Sequence, residues 1–78
     1  MDVIKAGSVV RLLYWKDQKV YNFLVNDIYL EPYINGFKTI IKAAYYSDKS
    51  GCFVLETFFA NDFFQAMSKA KEQDTGET

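Results

Sequence analysis

Acid-base chemistry in this sequence would depend on carboxylates or a thiol, because the chain contains no histidine. Asp27 and Glu56 are the two acids embedded in apolar stretches, where burial would raise the pKa of a carboxyl. An acid that faces solvent on a strand, or that pairs with Lys38 or Lys42 across a sheet, produces the same pattern. We favour that structural interpretation and predict no catalytic residue and no enzyme.

The single cysteine, Cys52, follows the glycine of a predicted turn. A thiolate nucleophile needs a nearby base or a helix N-terminus, and no histidine is present to serve as the base. We therefore interpret Cys52 as a small, buried and unreactive side chain. The sequence also lacks the ligand spacings of zinc and calcium sites and the glycine-rich loop of a phosphate site, so we predict no metal and no cofactor.

Basic residues interleaved with aromatic ones indicate a site for single-stranded nucleic acid, in which bases stack on rings beside a basic groove. The candidate residues are Arg11, Lys38, Lys42 and Tyr46. Phosphate recognition calls for a basic surface, yet residues 1–60 hold seven basic and six acidic residues, and the net charge of the chain is −1. Nucleic-acid binding is therefore the alternative function.

The number of large apolar side chains is the more informative feature. Half of the residues are apolar and 18% are aromatic, with one Trp, six Tyr and seven Phe. One short helix covers one face of a small sheet, so a curled barrel, a second copy or another protein must cover the other face. We predict that an aromatic sheet face docks a protein partner or a second copy. The predicted contact residues are Tyr14, Trp15, Tyr21, Phe23 and Tyr29.

Four segments rich in β-branched and aromatic residues are the predicted strands. They are residues 8–16, 20–30, 37–47 and 52–59. Asn26 and Asp27 interrupt the second segment and predict a bulge or a bend there. Pro32 cannot donate to a sheet ladder, so Pro32 and the following Asn35-Gly36 pair predict the end of that strand and a chain reversal.

The spacing changes to a helical period after the fourth strand. Phe63, Ala66, Met67 and Ala70 fall on one face of a helix, and Asn61 is a candidate N-cap. The pattern predicts one domain over residues 1–70 with a helix at about 61–70. The polar residues 71–78 are predicted to fray into solvent.

These elements predict an α+β fold that is mainly β. The sheet is either a four- to five-stranded antiparallel sheet or a small curled SH3-like barrel, in both cases with one C-terminal helix. We prefer the barrel, because both alternating sets of positions in each strand carry apolar side chains. In a sheet that is covered on one side only, apolar and polar side chains should alternate along each strand. Residues 5–12, in which Gly7 precedes a Val-rich strand, also resemble the first strand of SH3-like barrels.

The N-terminal residues lack the charged and apolar regions of a secretory signal, and no stretch has the length of a membrane helix, so we predict a cytoplasmic protein without membrane contact. The size and composition are those of accessory inhibitors and adaptors, including those of phages and plasmids. The sequence thus predicts a small non-catalytic protein-binding module.

Overall fold

The computed structural model describes residues 4–76, which form four antiparallel strands followed by one helix. The strands are β1 (Val9–Tyr14), β2 (Lys19–Tyr33), β3 (Gly36–Ser47) and β4 (Cys52–Phe59), and the helix is α1 (Ala60–Gly76). The strand order in the sheet is the order along the chain. The α+β, mainly β prediction is therefore confirmed with four strands. Residues 4–8 form no strand, and residues 1–3 lie outside the described range.

The sheet is not closed into a barrel, so our preference for the barrel was wrong. β1 and β4 are the two edges, and α1 returns from the end of β4 to pack mainly on β1. The helix thus bridges two edges that a barrel would join by backbone hydrogen bonds. Side chains also meet across this opening, because the rings of Trp15 and Phe58 lie 5.4 Å apart in a T-shaped contact.

The core lies between α1 and the face of the sheet that we call the inner face. Its buried members come from all four strands and from α1: Leu12, Tyr14, Phe23, Val25, Ile41, Ala43, Tyr45, Phe58 and Phe63. The predicted apolar face of α1 is confirmed, because Phe63 and Ala70 are fully buried and Ala66 and Met67 pack against this cluster. Complete burial of a phenylalanine contributes about 2 to 3 kcal/mol, so packing is a major source of stability.

β2 contains the predicted bulge. Val25 pairs with Ala43, but the next pair joins Asp27 to Lys42, which leaves Asn26 as the extra residue. One extra residue exchanges the two faces of the strand beyond it. Val25 before the bulge and Ile28 after it therefore both pack against the core.

The hairpin of β2 and β3 extends further than the sequence predicts. β2 does not end before Pro32 but continues to Tyr33, and Pro32 pairs with Phe37. β1 pairs with residues 19–24 of β2 alone, so the last part of β2 has a free edge on that side. A proline is tolerated there because it has no ladder hydrogen bond to lose.

Two further predictions differ from the structure. α1 begins one residue before Asn61 and ends at Gly76 instead of residue 70, because the polar residues 71–73 are good helix formers that continue the helix past its apolar face. Cys52 is exposed instead of buried, because it is the first residue of an edge strand. No helix within residues 4–76 has the length and apolar character needed to cross a membrane.

Candidate binding surface

The face of the sheet opposite the core, here called the outer face, carries an apolar row. Cross-strand pairing aligns Val9, Leu24, Ala44 and Leu55 across all four strands. Val9, Leu24 and Leu55 are 66%, 40% and 50% exposed. Because α1 packs on the inner face, this row stays in contact with solvent within the described part of the chain.

Two aromatic pairs flank the apolar row on the outer face. Tyr46 and Phe53 pair across β3 and β4, with ring centroids 5.3 Å apart. On the other side of the row, Tyr33 and Phe59 have centroids 5.9 Å apart. All four rings are exposed, so aromatic area extends the apolar row in both directions.

The charges of the outer face are nearly balanced. Asp27 pairs with Lys42, and Glu31 pairs with Lys38, in the register of β2 and β3. The Lys38 ammonium lies 5.0 Å from the ring centroids of both Tyr33 and Phe59, and the Lys42 ammonium lies 5.8 Å from that of Tyr29. These lysines cover rings and face acids, so the outer face has little preference for either sign of charge.

The five residues predicted to bind protein do not share one exposed surface. Tyr14 and Phe23 are core residues with 5% and 0% exposure. Tyr21 is half-buried and packs against the same core. Trp15 is exposed just beyond β1, and Tyr29 is half-buried on the outer face.

The four residues of the nucleic-acid alternative do share a face. Register and alternation place Arg11, Lys38, Lys42 and Tyr46 on the outer face. The Arg11 guanidinium donates to the Asn22 side-chain carbonyl over 3.4 Å. This group lies among exposed apolar side chains and cross-strand acids, so it is not a continuous basic groove.

The predicted contact residues do not include the side chains that make the outer face apolar. Leu24 lies between the core residues Phe23 and Val25, and Phe53, Leu55 and Phe59 share the outward parity of β4. The pattern that could have identified them is the presence of apolar side chains at both alternating sets of strand positions. We used that pattern to prefer a barrel over an open sheet, whereas the sheet is open and one of its two faces is exposed.

A cavity of about 500 Å³ adjoins the outer face, between the end of β1, the hairpin of β2 and β3, the end of β4 and the first turns of α1. Aromatic rings form much of its wall: Trp15, Tyr33, Phe58 and Phe59. Sites of this volume with apolar walls and a few polar groups are typical of small-molecule binding. Local sequence patterns do not indicate this cavity, because its walls come from distant parts of the chain.

Polar side chains of the hairpin and of α1 complete the cavity. Glu31 lies on the hairpin, and Asp62, Gln65 and Lys69 project from one side of α1. The Tyr33 hydroxyl donates to the Glu31 carboxylate over 3.1 Å. Partial burial is the main reason that the pKa of Tyr33 lies above its usual value, and this hydrogen bond is the second reason.

Comparison with protein-family models, with curated proteins and with solved structures finds no match to this chain.

Proposed function

We propose that this chain is a small non-catalytic binding module that docks a partner protein through its outer face. The observation that carries the proposal is the exposed row of Val9, Leu24, Ala44 and Leu55 with its flanking aromatic pairs. Each square ångström of apolar surface in water costs about 25 cal/mol, so a continuous patch of this kind favours association.

The chemistry of the outer face supports a partner whose contact surface is largely apolar and weakly charged. Leu24 and Leu55 supply aliphatic contact at the centre, and the flanking rings supply large contact area with few rotatable bonds. Because Lys38 and Lys42 already face Glu31 and Asp27, salt should change the affinity little.

A binding module that carries out no reaction acts on its partner by occupying or bridging a surface, so we assign this domain to the inhibitors and adaptors, including those that phages and plasmids encode. A second copy of the chain is the other occupant that the outer face would accept, and the experiment below separates the two.

The test compares two matched variants in a capture experiment. Leu55→Asp places a charge on the outer face, whereas Phe64→Asp places the same charge on α1 at a similar exposure, 45% against 50%. We expect the wild-type chain and Phe64→Asp to retain the same protein from lysate of the source organism after nuclease and high-salt washes. Leu55→Asp should lose it, because an unpaired charge in an apolar contact is costly.

Equal behaviour of the two variants would contradict the proposal. Phe53→Asp, at 66% exposure, replaces Leu55→Asp if circular dichroism shows that the latter does not fold. Analytical ultracentrifugation of the purified wild-type chain identifies self-association, which would make a second copy the partner.

The common placement of Arg11, Lys38, Lys42 and Tyr46 on the outer face favours nucleic acid as the second candidate. Affinity for a single strand should then fall steeply with salt, because binding releases counterions from phosphates. Recovery that disappears with nuclease would support this candidate over the protein partner.

A further inference from the structure

The aromatic pair at the edge of the cavity already accepts a cation. The Lys38 ammonium lies 5.0 Å from the ring centroids of Tyr33 and Phe59, and both rings line the cavity. A cation at this distance is attracted to the negative face of a ring. Lys38 is not among the residues that line the cavity, so its ammonium contacts these two rings from beside the cavity.

Among the charged groups near the cavity, Asp62 is the one that favours a cation. The carboxylates of Glu31 and Asp62 and the ammonium of Lys69 line the cavity, and Lys38 pairs with Glu31 across the strands. Glu31 is held by the Tyr33 hydroxyl, whereas the Asp62 side chain has no hydrogen bond or ion pair with the residues that the structure describes. Asp62 is therefore available to a ligand.

We propose that this cavity binds a small organic cation with an aromatic or branched apolar body, and that Lys38 competes with the ligand for the Tyr33 and Phe59 rings. The apolar body packs on Trp15 and Phe58. The cationic group lies near the paired rings and the two carboxylates. This proposal does not depend on the docking of a protein at the outer face.

Trp15 is the single tryptophan of the chain and lines the cavity, so its fluorescence reports occupancy directly. The probes are 4-phenylbutylamine, its neutral analogue 4-phenylbutanol and its anionic analogue 4-phenylbutyrate, each titrated into the wild-type chain. We expect saturable binding in which the amine binds roughly three- to tenfold more tightly than the alcohol. The carboxylate should bind most weakly because it meets Glu31 and Asp62.

Substitution of Lys38 gives the most specific readout. Lys38→Gln should tighten amine binding by roughly two- to fivefold, because the rings lose their internal cation. The matched control is Lys42→Gln, which removes the same charge from the same strand and face but lies over Tyr29, outside the cavity wall. It should change the affinity much less. Asp62→Asn should weaken amine binding and leave alcohol binding unchanged.

Equal affinity for the three probes, or fluorescence that does not saturate with any of them, would overturn the proposal. Unchanged or weaker amine binding in Lys38→Gln would overturn the role of Lys38. Circular dichroism of each variant verifies that the fold is retained. Lys38 is exposed, Lys42 is half-buried, and neither belongs to the core cluster.

Discussion

The hydroxyl of Tyr14 donates a hydrogen bond to the carboxylate of Glu56, 42 residues further along the chain. Tyr14 ends β1 and Glu56 lies in β4, so the bond joins the two edge strands of the open sheet. The Lys16 ammonium lies 3.5 Å from the same carboxylate. Burial is the main reason that the pKa of Tyr14 lies above its usual value, and the hydrogen bond to Glu56 is the second reason. This contact connects two strands that share no backbone hydrogen bonds.

Tyr14→Phe should lower the free energy of unfolding by about 1 to 2 kcal/mol, because it leaves a half-buried carboxylate without its hydroxyl donor. Urea denaturation measures the change. Tyr46→Phe is the control, since the Tyr46 hydroxyl is exposed and has no hydrogen bond among the described residues. Equal stability of the two variants would show that the bond to Glu56 contributes nothing.

Three tyrosines should titrate above their usual pKa in the folded chain. The bond to Asp17 raises the pKa of Tyr21 to about 12, and burial raises that of Tyr14 and Tyr33. The folded state therefore holds phenol protons that the unfolded state releases at about pH 10. Stability from these groups is complete below that pH and is lost as the pH rises further. Tyrosinate absorbance and urea denaturation at several alkaline pH values measure both effects.

The control for the alkaline titration is Tyr21→Phe. The Tyr21 hydroxyl holds the pKa of Asp17 below its usual value, so this variant should return the Asp17 carboxyl towards that value in an NMR titration. Tyrosines of the wild-type chain that ionise together near pH 10 would contradict the geometry of these hydrogen bonds.

Gln18→Gly should stabilise the chain by about 0.5 to 1 kcal/mol. Gln18 has a φ of 59° in the turn between β1 and β2, a left-handed conformation that costs a residue with a Cβ atom more than it costs glycine. Gln65→Gly is the opposite control, because glycine inside α1 should cost about 1 kcal/mol. Gln18→Gly also removes the hydrogen bond from the Gln18 side-chain amide to the Trp15 carbonyl, so destabilisation by both substitutions would show that this bond outweighs the relief of strain.

Local periodicity was sufficient to predict most elements of the fold. Alternation and turn residues gave the bounds of β4, and the interruption at Asn26 gave the bulge. Helical spacing gave the buried face of α1 from Phe63 to Ala70. Each of these features depends on residues that are close together in the sequence, so the local pattern of residue types is enough to predict it.

Features that depend on distant pairing could not be predicted in the same way. The bulge exchanges the faces of β2, so Tyr29 lies on the outer face although it shares the parity of the core residue Phe23. Pro32 remains in a strand because β1 is too short to reach it. The cavity needs Trp15, Glu31 and Asp62 to converge, and the path of α1 across the sheet decides that convergence.

The most direct test of the outer face uses the methyl groups of leucine as reporters in NMR spectra. Leu24 and Leu55 lie on the outer face, and Leu12 is fully buried in the core. On addition of the captured partner, or at increasing concentration if the chain self-associates, we predict that the Leu24 and Leu55 methyl signals shift while the Leu12 signals do not. Unchanged Leu24 and Leu55 signals, together with shifts in α1, would contradict docking through the outer face.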